Sequence, residues 1–355
     1  MHIYILAFLL LVQSLVSCQQ NPEKALLSEA GIGLQSSGAC QEVPEKAKPT
    51  ANNIVFKSTD GGLTWQDVSA GLPIDLPIGR VLADGGELYL SSNKGLYHSS
   101  ISTEAPKWQK EISLGLEISG IFHGQTGPYV SSYEKGFFQK ILGTEVLMPL
   151  HNNLKDKTVR TILETPDGTL FVGCESGLYK STDAGNSWKQ VIANDGINSI
   201  VEGDGVLICG THKGLMRSTD AGEHWDSVLT EDGGAWNLGV IEGRFVSLTQ
   251  GGDWQDDPAN RVRMSVDAGK TWQRIDENLA SGKFIFNNEI GGDPVRSIND
   301  IKKAGNYLFC SCDAGIFRSA DWGKTWEPVF TESGLKLLQL AVSGNVIYAV
   351  KVVGC

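Results

Sequence analysis

No stretch of this 355-residue chain is rich in lysine or arginine. Acidic residues outnumber basic ones, 41 to 30, which gives a formal net charge of −11. A surface that neutralises nucleic-acid phosphates needs the opposite balance, so nucleic acid is excluded as a partner. No apolar run has the length of a membrane-spanning helix. The nearest, Ile3 to Leu11, falls well short of the roughly 20 residues a bilayer requires. No helical apolar period persists past this segment, which argues against a helical fold. Metal chemistry is poorly supplied too. Cys310-x-Cys312 has no matching partner pair and a poor spacing for zinc. Neither a metal nor a cofactor is expected. Glycine, by contrast, is abundant, with 42 residues, as suits a chain made largely of turns.

The turns follow a pattern. Five segments read STDGGLTW (Ser58 to Trp65), STDAGNSW (Ser181 to Trp188), STDAGEHW (Ser218 to Trp225), SVDAGKTW (Ser265 to Trp272) and SADWGKTW (Ser319 to Trp326). Each places Ser, Asp, Gly and Trp at fixed offsets. The aspartates Asp60, Asp183, Asp220, Asp267 and Asp321 are expected to accept hydrogen bonds from backbone N–H groups two residues on, with the serine hydroxyl assisting. The glycine suits a left-handed backbone. The tryptophans Trp65, Trp188, Trp225, Trp272 and Trp326 supply apolar surface to bury between neighbouring sheets. All ten residues are expected to be structural. His224 stands where Thr or Ser is usual and is expected to be a surface substitution. The pattern resembles the Asp-box, or BNR repeat, of sialidases, sortilin-type receptors and related β-propellers.

The spacing predicts the number of repeats. Boxes begin at 58, 181, 218, 265 and 319. The first gap is about three times the usual repeat of roughly 40 residues, so two repeats have lost their box. The strand that precedes a box, as in SGLYKS (Ser176 to Ser181), recurs without one as KGLYHS (Lys94 to Ser99) and KGFFQK (Lys135 to Lys140). Trp108 is a candidate remnant. At the ends, NNIVFKS (Asn52 to Ser58) is an outer-type strand without inner partners, and Leu337 to Val353 holds two inner-type strands without a box. Together they complete one blade. The expected fold is all-β: a seven-bladed β-propeller whose ring closes by pairing of N- and C-terminal strands, leaving no open edge.

Leu15-Val16-Ser17-Cys18 resembles a bacterial lipobox behind the short apolar core. The expected organisation is a lipoprotein-type signal peptide over 1–17, a flexible tether over 18–50 and the propeller over 51–355. Cys18 would carry the lipid and hold the chain to a membrane of the cell envelope, the outer membrane or cell surface before the inner membrane. Cys174 and Cys312 share one repeat position, and Cys209 and Cys310 another, so all four are expected as small buried apolar groups. Cys40 and Cys355 form a candidate disulfide joining tether to ring.

The boxes lie between the third and fourth strands of each blade. In enzymes that carry Asp-boxes the active site is on the opposite face, and the resemblance directs attention there. Two insertions reach that face. Thr249 to Arg263, in the sixth blade, carries Trp254, Asp256, Asp257 and Arg261. Asp276 to Arg296, between the sixth and seventh blades, carries Phe284, Phe286 and Glu289. Long loops on a rigid scaffold commonly bear function. Arg80, Arg160 and Arg296 begin innermost strands and align at one repeat position, so three guanidiniums would converge on a carboxylate or phosphate. Each arginine instead has an alternative structural role, paired with a carboxylate such as Glu164 or Asp300.

Sialidases hold a sialic acid carboxylate with three arginines and act through a Tyr-Glu pair and an Asp. Here the early Arg-Ile-Pro signature is missing and the blade count is seven, and the one Tyr-Glu pair on that face is Tyr133-Glu134. Catalytic residues are therefore unassigned. A better overall match is the single-propeller group that includes the photosystem II stability and assembly factor, whose members bind polypeptides and do no chemistry. The resemblance implies an extracytoplasmic, monomeric binding or scaffold module for a protein segment or an anionic glycan. A sialidase-like exo-glycosidase is the alternative.

Overall fold

The computed structural model describes residues 53–102, 106–111, 116–132, 135–144, 146–230, 233–250, 260–283, 285–286, 289–290, 295, 297–331 and 337–352. Cys18, Cys40 and Cys355 lie outside the described residues. No described helix is long and apolar enough to cross a membrane.

Seven four-stranded antiparallel sheets form a propeller. Blade 1 is composite. Its inner strands are Leu338–Ser343 and Val346–Lys351, and its outer strands are Val55–Ser58 and Gln66–Asp67. Blade 2 contains Ile78–Asp84, Glu87–Ser92, Gly95–Ser100 and Gln109–Lys110. Blade 3 contains Gly120–Phe122, Tyr129–Ser132, Gly136–Lys140 and Leu147–Pro149. Blade 4 runs through Val159–Glu164, Leu170–Cys174, Gly177–Ser181 and Lys189–Ala193. Blade 5 runs through Ile197–Gly203, Val206–Thr211, Gly214–Ser218 and Asp226–Leu229. Blade 6 has Ala235–Ile241, Arg244–Gln250, Asn260–Ser265 and Gln273–Arg274, and blade 7 has Ile298–Ala304, Tyr307–Cys312, Gly315–Ser319 and Glu327–Phe330. Between blades 6 and 7 stand a single helical turn, Glu277–Ala280, and a small hairpin of Ile285–Phe286 with Glu289–Ile290.

The second strands explain the packing. Leu170–Cys174, Val206–Thr211 and Tyr307–Cys312 are buried on both faces because each is sandwiched between neighbouring blades. The core is accordingly a series of wedges. Seven buried clusters among the described residues each join one pair of adjacent blades. Phe56, Phe309 and Leu340 close the wedge between blades 7 and 1. Ring closure by the two ends is also a strand ladder, with Val55 opposite Val350 and Ser58 opposite Ile347. Cys174, Cys209, Cys310 and Cys312 are free and buried in these wedges, at the two repeat positions the spacing predicts. Burial above all pushes the Cys312 thiol up to about 12.

The boxes differ from expectation in their hydrogen-bond offset. In the first, Asp60 Oδ1 accepts from the backbone N–H of Thr64, four residues on, at 3.0 Å. Its Oδ2 accepts from the Thr64 hydroxyl at 2.6 Å. The Ser58 hydroxyl donates to Asp60 and accepts from the Gly62 N–H, both at 2.9 Å. The other four boxes repeat this scheme around Asp183, Asp220, Asp267 and Asp321. The turn requires two successive left-handed residues, such as Ala268 at φ 58° and Gly269 at φ 79°, and that spreads the acceptor's reach from two residues to four. In the third box His224 Nδ1 meets Asp220 Oδ2 at 2.6 Å. The imidazole thus takes over the threonine hydroxyl's contact.

The box tryptophans staple blades together. Trp65 donates to the Val329 carbonyl, Trp188 to that of Leu150 and Trp326 to that of Ile275, each in the preceding blade or just after its last strand. Trp108 does the same to Val68 at 2.9 Å, which identifies it as the remnant of blade 2's lost box. Trp225 and Trp272 donate within their own turns, to Gly222 and Gly269.

Candidate functional site

Five innermost strands begin with a bulge. Pairing with the second strand slips between Ile78 and Arg80, Val159 and Thr161, Ile197 and Ser199, Ala235 and Asn237, and Ile298 and Asp300. The unpaired residues are Gly79, Arg160, Asn198, Trp236 and Asn299. A bulge turns its side chain off the regular pleat, and Arg160, Asn198, Trp236 and Asn299 line one cavity.

The result is a cavity of about 720 Å³ to which all seven blades contribute, among them Gln339, Arg80, Ser119, Arg160, Asn198, Trp236 and Asn299. Its walls come from the starts of innermost strands and the ends of second strands. Box turns lie at the other end of the five blades that carry them, so the cavity opens on the face opposite the boxes.

Arg80 and Arg160 both line it, but not from one repeat position. Arg80 pairs with Ser91, whereas Arg160 is the bulge residue before Thr161, which pairs with Gly173. The turn of blade 4, Pro166-Asp167-Gly168, is one residue longer than Gly85-Gly86 of blade 2, and this offset defeats an alignment made on the strand starts. The Arg80 guanidinium lies 5.5 Å from the Phe122 ring centre. Arg160 is clamped. It donates to Asn198 Oδ1 at 2.6 Å, to His212 Nε2 at 2.7 Å and to Glu175. A guanidinium only donates, so His212 Nε2 is the acceptor. Its carboxylate partner is therefore Glu175, and neither Glu164 nor Asp300. Glu164 accepts from the Tyr129 hydroxyl and the Gln125 N–H. Asp300 serves Lys302, Asn237 and the Leu340 N–H.

Arg261 departs from the expectation of a loop ligand. It sits in the third strand of blade 6 opposite Thr249 and is 6% exposed. Its charge acts on Asp276, which is fully buried and bonded to Arg274 at 3.3 Å. Burial pushes the Asp276 carboxyl up, with Arg274 and then Arg261 opposing. Trp254, Asp256, Asp257, Arg296, Tyr133 and Glu134 lie outside the described residues.

Asn198, His212, Trp236, Glu175 and Asn299 were not singled out by the sequence. Asn198 is 5% exposed and holds two blades, accepting from Arg160 and donating to the Ala235 carbonyl at 3.1 Å. Trp236 packs on His212, with ring centres 6.0 Å apart. Aligning blades on the glycine that opens each third strand, and then allowing for turn length, would have found the bulge residues.

No family model and no curated protein sequence matches the chain. Solved structures do. The extracellular domain of BT4673, assigned to a hybrid two component system of B. thetaiotaomicron, matches with a TM-score of 0.57 at 16% identity, over 81% of this chain and 37% of that one. YCF48 bound to a D1 peptide matches with a TM-score of 0.53 at 13% identity, over 80% and 94%. An ancestral GH74 enzyme matches with a TM-score of 0.55 at 13% identity, over 84% and 45%. The chain thus spans less than half the length of the B. thetaiotaomicron domain and of the GH74 enzyme it matches. At these identities the likeness is one of fold.

Proposed function

We propose that this propeller is a lipid-anchored, extracytoplasmic binding module that captures an anionic ligand, a protein segment or a glycan, at the axial mouth opposite the boxes. The observation that carries this reading is the cavity of about 720 Å³ with Arg80 and Arg160 on its wall. Among the described residues that line it, Glu175 is the one carboxylate, and Arg160 already neutralises it. In an acidic chain, two guanidiniums on one wall supply positive charge for an anion. That a YCF48 structure holds a peptide supports a binding role for this fold. The leader ending at Cys18 supports export and anchoring.

The test uses the full-length protein in detergent, titrated with acidic peptides and carboxylated oligosaccharides, beside an Arg80→Gln/Arg160→Gln variant. Binding that drops at least tenfold in the variant supports the reading. Binding indifferent to both arginines refutes it, and turnover of fluorogenic glycosides would replace it with the enzyme. Cys18→Ser should move the protein from the membrane fraction to the soluble one.

A further inference from the structure

The arginines leave one feature of the mouth unexplained. Trp236 is 49% exposed, while the box tryptophans Trp272 and Trp326 are buried. It occupies the bulge of blade 6, so its indole belongs to the cavity wall and not to a wedge between blades. The ring is also braced. His212 packs against it at 6.0 Å and 36°. Arg160 holds His212 through Nε2, and Asn198 and Glu175 hold Arg160. A flat apolar surface is thereby fixed across blades 4, 5 and 6.

The surroundings of this surface are hydroxyls and amides. Ser119, Ser131, Thr158, Asn299 and Gln339 all line the cavity. Such groups both donate and accept. Asn299 Nδ2 finds no acceptor among the described residues. A sugar ring matches this combination, having an apolar C–H face for the indole and hydroxyls that also donate and accept. A peptide matches it less well. Extended peptides add to a regular, unpaired strand edge, and here bulges interrupt five innermost strands at the mouth itself.

From this geometry we infer that the ligand is an oligosaccharide bearing a carboxylate, with one sugar ring on the Trp236 indole and its carboxylate at Arg80. The inference rests on the reading of the mouth as an anion-binding site and names the ligand class.

The experiment is isothermal titration of the full-length protein in detergent with uronic-acid oligosaccharides, their carboxyl-reduced neutral counterparts and an acidic peptide of equal charge. Trp236→Ala should weaken uronate binding at least tenfold, and Trp236→Phe should restore it to within about threefold. Arg80→Gln should abolish the preference for uronate over its neutral counterpart. Unaltered thermal midpoints confirm that the variants fold, as expected for exposed side chains. If no uronate binds the wild type, or Trp236→Ala binds as well as wild type, the sugar assignment is overturned. If the peptide binds through the arginines and ignores Trp236, the sugar falls and the anionic mouth stands. If no probe binds, or arginine loss changes nothing, both fall.

Discussion

Trp326 is the sharpest test of the view that box tryptophans staple adjacent blades. It is 1% exposed and packs with Leu279, Val295, Ile298 and Phe317 in the wedge between blades 6 and 7. Its indole N–H reaches the Ile275 carbonyl at 3.1 Å. Trp326→Ala removes a buried aromatic ring, a loss of about 3–5 kcal/mol. Trp326→Phe keeps most of the volume but strands that carbonyl, a loss of about 1–3 kcal/mol. Trp225 is the control. It is half-buried and its N–H stays within its own turn, bonded to Gly222, so Trp225→Ala should lose about 1–2 kcal/mol of apolar burial. At roughly 2–4 °C per kcal/mol, Trp326→Ala lowers the thermal midpoint by roughly 6–20 °C and Trp225→Ala by roughly 2–8 °C. Circular dichroism melts at pH 7, repeated as guanidinium midpoints, would measure both. Equal losses at the two sites, or a Trp326→Phe midpoint equal to wild type, would refute the staple.

The boxes also predict an acid response. Hydrogen bonds from the Thr64 hydroxyl and N–H hold Asp60 near 2, and those from Ser187 hold Asp183 near 2, against 3.8 for the ordinary group. Asp220 and Asp267 are lowered further by His224 and Thr271. A lowered folded value means the stabilisation is complete above about pH 4 and is lost as pH falls toward 2. Melting midpoints should drop steeply between these limits and less steeply in Asp183→Asn; an unchanged slope there would count against the boxes. Gly269→Ala combines φ +79° with a Cβ 2.4 Å from Ile208 Cδ1, so it should cost about 1–3 kcal/mol more than Gly205→Ala, which has a similar φ and meets nothing within 4 Å. His224→Thr should leave stability within about 0.5 kcal/mol of wild type, since the hydroxyl supplies the contact to Asp220 that the imidazole makes; a greater loss on denaturant titration would give His224 another role.

The repeat made the ring legible. A motif that closes its own turn with Ser, Asp, Gly and Trp leaves a local, periodic trace, so the blades and the composite first blade could be counted before any coordinates. Residues that act across blades leave no such trace. Arg160 finds its carboxylate in Glu175 because a bulge turns it, and no spacing between the two encodes that. Trp236 was overlooked because its neighbours in the chain, Ala235 and Asn237, read as an ordinary strand. Arg261 illustrates the reverse error: a charge flanking a long insertion suggests exposure, yet the second and third strands of blade 6 pair as far as Gln250 and Asn260 and carry it into the interior.

The composite blade imposes an order in time. Of the described strands, Val55–Ser58 emerges first from a ribosome or a translocation pore, and its partner Val346–Lys351 emerges last. At about 5–20 residues per second, the early strand waits roughly 15–60 s with one edge unpaired. Six blades can assemble locally as they emerge, but the two wedges beside the composite blade cannot form until Leu338–Ser343 and Val346–Lys351 have been made. The open arc of that interval is when the chain is most exposed to chaperones, proteases and its own copies. A circular permutant whose ends fall between two blades would remove the wait while keeping every contact of the finished ring.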